Sequence, residues 1–464
     1  MAQAHTQDLR LATRLLHSRL ALLAAFAFAV MADPVSSVAY AIEAALRELH
    51  GNLGLLLPTM SLVVAIIALV ITNYHQLVAR FPEGGGAAAA AASAFGEGWA
   101  FIPIGALIVD FVLTIAISVA AGASALIQYV PALAPERIPL ALALLVGVAA
   151  LTWPGHLGRA VFAVMTLLFV AASVGVLAGA VHAHVAHTGT ITDASGHPAA
   201  IAIILAFPVA MALATGVEAP SSAIAQLGQL DDAGRRRFGR ITLWLTLAIV
   251  GTLTLGLTAA AVHLKIGIPA ADSTQIGDLA EASTGHSLYA FFQLATALLL
   301  LAAASSSFQA GPGLLKALAR HERDGQGVGI LPVWMGQSNR HHTPYWAVAI
   351  FLAVSAVVTT AAGAHDQELV LFYAVSVFMS FLVGLLAMAR FALRERRAWA
   401  LAMNAVGAAV VAFVLTANMA RGQPIASVAA ALLVGAGLSR LWVRAGRPRG
   451  IAEVVAEAEQ EDPA

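Results

Sequence analysis

The chain has 464 residues, of which 60% are hydrophobic and only 11% charged; its formal net charge is zero and its mean hydropathy +0.84. A soluble domain devotes about 25% of its residues to charge, so this balance excludes a set of water-soluble domains and leaves a chain whose apolar surface faces lipid. Cysteine is absent, which excludes disulfides, thiolate metal sites and a catalytic thiol.

A bilayer-spanning helix needs about 20 mostly apolar residues. Runs of that kind predict twelve segments, near 20–48, 54–79, 100–130, 138–153, 159–183, 198–226, 240–264, 286–317, 344–362, 367–389, 396–418 and 423–443. Segment one contains Met31-Ala32-Asp33-Pro34-Val35-Ser36-Ser37, a carboxylate and a proline inside the run, which marks a permanent span rather than a signal peptide. Proline lacks an amide donor and disfavours helical geometry in the residue before it. Segment one is therefore predicted to unwind near Ala32 and restart at Pro34, with Asp33 as the N-cap. Gly84-Gly85-Gly86, after segment two, is no phosphate loop, because no Lys-Ser/Thr follows; the run Ala87 to Ala92 reads as loop or helix without chemistry. Segment three carries Asp110, Thr114 and Ser118, spaced by four and so aligned on one face.

Between segments five and six, His182, His184, His187 and His197 stand in a stretch with no Lys or Arg, read as a solvated outside loop rather than a metal site. Segment six carries a second interruption, Thr215-Gly216-Val217-Glu218-Ala219-Pro220. Arg235, Arg236 and Arg237 follow it, suited to anchoring near anionic lipid heads. If both termini are cytoplasmic, 21 of the 25 basic residues fall on inside segments, which is the positive-inside pattern. The expected organisation is an N-terminal tail 1–19, five-helix repeats over 20–197 and 198–390, helices eleven and twelve over 391–450, and an acidic cytoplasmic tail 451–464.

Paired discontinuous segments in corresponding positions point to an inverted-repeat transporter with a midplane site. Asp33, Asp110 and Glu218 fall at that depth, where each central acid costs about 2.5–3.5 kcal/mol to insert. No Lys or Arg is at hand to pair them, so a bound cation, a proton or both must compensate. Protonated acids that only cap helix ends are the plainer alternative. No nucleophile and base stand together, and no enzyme, cofactor, catalytic residue or resident metal is expected.

Asp33-Pro-Val-Ser-Ser-Val-Ala-Tyr40 resembles segment one of the Kim-type potassium uptake transporters, relatives of the Kup family within the amino acid–polyamine–organocation superfamily. Arg80-Phe-Pro-Glu-Gly-Gly-Gly86 with Ala94-Phe-Gly96 resembles the superfamily's loop after segment two. Asp110-Phe-Val-Leu-Thr114 with Ser118, Thr215-Gly-Val-Glu218, and Tyr373 in Leu-Phe-Tyr-Ala-Val-Ser-Val-Phe378 resemble Kim-type segments three, six and ten. The resemblance implies an all-α, five-plus-five inverted-repeat fold with two further helices, and proton-coupled potassium import. Carried over by position, it implies a cation site of Asp33, Tyr40, Asp110, Thr114, Ser118, Thr215 and Tyr373, with Asp110 and Glu218 as candidates for proton coupling.

Two features depart from the Kim-type pattern. The chain stops fourteen residues after Gly450, where those proteins carry a cytoplasmic domain, and Ser305-Ser-Ser-Phe308 to Gly311-Pro312 lacks their segment-eight Asn, Tyr and Asp. Expected partners are potassium or sodium, a proton and a lipid bilayer, with a homodimer as one option and no nucleic acid. An amino acid or polyamine permease is the alternative, since an amine would also satisfy Asp33 and Asp110. A transporter-like sensor or scaffold without flux is a second.

Overall fold

The structure, a computed structural model, describes residues 19–450 apart from 155–157, 194–195, 320, 324–325, 423 and 449. Segment one is split into α1 (Arg19–Val30), α2 (Ala32–Ser36) and α3 (Val38–Glu48). Segments two to five are α4 (Leu53–Arg80), α6 (Phe101–Tyr129), α7 (Arg137–Thr152) and α8 (Arg159–Ala180), with the short α5 (Gly86–Phe95) after α4. Segment six comprises α9 (Ala199–Ala210) and α10 (Ala219–Ala223), and segment seven is α11 (Asp232–Leu264). A loop helix, α12 (Gln275–Ser283), precedes segment eight, α13 (His286–Leu318). Segments nine to twelve are α14 (Tyr345–Ala361), α15 (Asp366–Arg394), α16 (Ala398–Met419) and α17 (Ile425–Arg444). The short strands β1 (His321–Arg323) and β2 (Gln326–Val328) pair antiparallel.

Among the described residues, ten helical stretches are individually long and apolar enough to cross a membrane. The split segment one and the 17-residue α14 complete the twelve. Observed ends match the predicted ones within a few residues, except that segment seven begins at Asp232 rather than 240 and segment ten runs on to Arg394 rather than 389. Asp231 caps segment seven early, accepting from the Gly234 amide at 3.0 Å, so Arg235–Arg237 sit on a helix end. The tails 1–18 and 451–464 and the side chain of Tyr373, on α15, lie outside the described residues.

The spanning helices carry apolar side chains both inward and outward, because lipid takes the place of water on their outer faces. Leu57, Val146, Val357 and Leu433 stay exposed, as side chains facing lipid do. Phe26, Ile67, Phe207, Leu257, Phe292 and Phe378 belong to one buried cluster, which draws segments one, two, six, seven, eight and ten around the site.

Side-chain contacts tie the two ends of this bundle. At the end of α4, Arg80 pairs with Glu395 beyond α15, and its guanidinium carbon lies 3.9 Å from the Phe391 ring centre. Nearby, Gly84, Gly85 and Gly86 all take positive φ (94°, 80° and 47°), and a Cβ on Gly86 would lie 3.1 Å from the Ser222 hydroxyl. Only glycine lets this turn close beneath α10. At the opposite end, α12 docks across the bundle. The Gln275 amide donates to Glu43 of α3 at 3.0 Å, and Gln128 of α6 holds Thr274 and Asp278.

Candidate functional site

Segment six carries the full break. Pro208 in α9 has no amide for the helix ladder and crowds the carbonyl four residues back. The chain tightens to a 3-10 turn over Met211–Ala214, then leaves the helix at Thr215 (φ −64°, ψ 143°) and Gly216 (φ 74°). A Cβ on Gly216 would lie 2.8 Å from the Asp33 carboxyl carbon and 2.8 Å from Pro34 Cδ. Glycine is needed here both for its positive φ and for this approach. The break expected near Thr215-Gly216 therefore rests directly against the acid of segment one.

Segment one departs from its expectation. Its interruptions are single residues, Met31 (φ −83°, ψ 2°) and Ser37 (φ −62°, ψ −23°). Met31 occupies the N-cap position of α2, and Asp33 lies in the first turn without capping anything. The reason is local. Pro34 falls in the first turn of α2, where amides have no helical partner to lose. The kink thus costs little unwinding, and Val35 still donates to the Met31 carbonyl at 2.9 Å.

Three hydroxyls join the two segments. Thr215 donates to the Ala212 carbonyl at 2.8 Å, so it accepts from Ser37 at 2.7 Å. Ser37 in turn accepts from the Tyr40 hydroxyl at 3.0 Å. Ser37 was not among the expected site residues, yet it is the link between Tyr40 and Thr215.

Asp110 lies 4% exposed on α6 and accepts from Ser376 of α15 at 3.4 Å. Ser376 is a second residue that the sequence reading did not single out. Thr114 and Ser118 are buried one and two turns along from Asp110. Glu218 stands at the N-cap position of α10 but makes no side-chain cap bond, so the plain capping role fails for it. Asp33 Oδ1, Glu218 Oε2 and Ser118 Oγ are buried and meet no hydrogen-bond donor. Among the described residues no ion pair reaches Asp33, Asp110 or Glu218, and no three His, Cys, Asp or Glu converge as a metal site. The arrangement gathers carboxylate and hydroxyl oxygens on segments one, three and six, with no basic side chain paired to them among the described residues.

Comparison with known proteins agrees with this architecture. The family model described as "Amino acid permease" matches residues 20–438. The potassium transporter KimA of Bacillus subtilis (strain 168) is 27% identical over 405 residues, covering 83% of this chain and 64% of that protein. The chain thus spans less than two thirds of that relative's length. A crystal structure of the Eremococcus coleocola manganese transporter, bound to an aromatic bis-isothiourea substituted compound, superposes with a TM-score of 0.51. It is 12% identical and covers 92% of this chain and 95% of its own; at that identity the likeness concerns the fold. The chain is a multi-pass membrane protein and belongs to the amino acid permease family.

Proposed function

We propose that the protein imports a monovalent cation, potassium first, together with a proton, through the pocket between segments one, three, six and ten. The observation that carries this reading is the set of three acids, the buried Asp110 and Glu218 and the half-buried Asp33, with no ion-pair partner among the described residues. Uncompensated, they would cost on the order of 9 kcal/mol at the membrane centre. A dehydrated potassium ion neutralises one and finds oxygens from Tyr40, Thr114, Ser118 and Thr215 around it. Protons on Asp110 and Glu218 neutralise the other two, and one of these protons travels with the ion. The similarity to a potassium transporter points the same way. The expected site residue Tyr373, on α15, joins this proposal by its position in the chain.

The permease reading has its own support in the family model's description. Against it stands the backbone of segment one. An amino acid's carboxylate needs freed helix N-terminal amides, and the joints at Met31 and Ser37 free few. A polyamine, lacking that carboxylate, fits the acids better than an amino acid does. Proteoliposome uptake of potassium, sodium, amino acids and polyamines, each competed by the others, tests the choice. Saturable potassium uptake untouched by excess amino acid is expected; amino-acid or polyamine uptake indifferent to potassium would replace this reading with the permease.

A further inference from the structure

Segment eleven lies outside the two five-helix repeats and contributes nothing to the pocket. Its buried face runs Ala400, Asn404, Gly407, Ala408, Val411, Val414 and Asn418. Two asparagines, fourteen residues apart on this face, are the polar exceptions. Fourteen residues is close to four helical turns, so both point the same way.

Each asparagine reaches a different neighbour. Asn404 accepts from Asn73 of α4 at 2.7 Å and donates to Gln76, also on α4, at 3.2 Å. Asn418 is 2% exposed and donates through Nδ2 to the Pro208 carbonyl of α9 at 3.0 Å. One turn beyond, Arg421 donates to the Leu205 carbonyl and pairs with Glu48 at the end of segment one. The outer end of segment eleven therefore grips the last turn of α9, immediately before the chain leaves helical geometry. The Pro208 carbonyl is one of the last four of α9, which have no donor within the α-helix itself, so it draws on the tightened turn and on donors from elsewhere. In an apolar surrounding, such a carbonyl without a donor is unfavourable.

We infer that Asn418 is a positioning residue for transport: by holding the Pro208 carbonyl it fixes where α9 ends, and so where Thr215 and Gly216 present themselves to Asp33. Asn418 touches no residue of the pocket. Its influence passes through the eight residues from Pro208 to Thr215, four of them in the tightened turn. The inference rests on the reading of the Thr215–Glu218 break as the substrate site. Asn404 serves as the internal comparison, because its side chain bonds Asn73 and Gln76 of segment two rather than α9.

The test uses the full chain in proteoliposomes with potassium, and the detergent-purified protein for hydrogen exchange. Asn418→Leu keeps the volume and deletes the donor, whereas Asn418→Ala deletes both. Loss of one positioning bond should raise the half-saturating potassium concentration about tenfold in both variants, with the maximal rate nearly kept. Amide exchange across 209–217 should quicken in both. Asn404→Leu should lower thermal stability yet leave the half-saturating concentration and the exchange of 209–217 as in the wild type. If leucine restores what alanine loses, Asn418 only fills space and the inference is overturned. It is equally overturned if neither variant alters exchange over 209–217. Should the wild type carry no potassium at all, the transport reading fails, while the exchange comparison still decides the role of Asn418.

Discussion

Ser37 does more than its type suggests. A serine in a membrane helix ordinarily bonds the carbonyl one turn back, and Ser36 does so, donating to Asp33 O at 2.7 Å. Ser37 instead links Tyr40 to Thr215 across the two broken segments. Ser37→Ala should raise the half-saturating cation concentration about fivefold through loss of about 1 kcal/mol, as read by uptake titrations. Glu218 supplies the second expectation at this scale. Since its side chain caps nothing and one oxygen meets no donor, it suits a proton rather than a structural role. Glu218→Gln should keep cation-induced thermal stabilisation but flatten the dependence of uptake on pH between pH 5 and 8; an unchanged pH profile would assign the proton elsewhere. Asp33, Asp110, Thr215 and Glu218 were legible in the sequence because acids and Gly/Pro interruptions stand out in an apolar run. Ser37 and Ser376 were not, since only the register between segments separates them from other membrane serines. Asp33 was misread as an N-cap because Pro34 fits a first helical turn as well as it breaks an interior one.

At the scale of elements, the run lengths located all twelve segments, yet they missed α12. Its sequence Gln275–Ser283 is short and polar, and it is held by partners far away in the chain. Burial raises the carboxyl of Asp278, in this helix, from its ordinary value, partly offset by donation from Ser273 and reinforced by the charge of Glu281. A folded-state value above the unfolded one means that its share of stability is whole below the unfolded value. That share is lost as pH rises through the folded value. The docking of α12 should therefore loosen as pH climbs above the usual aspartate range. Amide exchange of 275–283, corrected for the intrinsic pH effect, should quicken between pH 4 and 7 in the wild type. In Asp278→Asn it should stay level. The same rise in both would show that Asp278 plays no part in the docking.

For the whole molecule, the composition alone dictated lipid as solvent, and the bias of basic residues proposes cytoplasmic termini. The substrate was less legible, because one fold serves cations and amino acids alike, and the choice turns on three acids and a few hydroxyls. Symport of one potassium ion with one proton carries two charges inward. At about 2.3 kcal/mol per charge per 100 mV, a potential of about 150 mV supplies roughly 7 kcal/mol. That sustains a gradient of about 10⁵-fold, so uptake should steepen with inside-negative potential and collapse with a protonophore. Electroneutral exchange, indifferent to potential, would point to the permease reading.

The central claim is that the acids of segments one and three hold the cation, and potassium uptake by Asp33→Asn and Asp110→Asn in proteoliposomes tests it most directly. Under an inside-negative potential the wild type should accumulate potassium. Each variant, folded as judged by its size-exclusion profile, should show neither uptake nor potassium-induced thermal stabilisation. Near wild-type uptake by both variants would contradict the account.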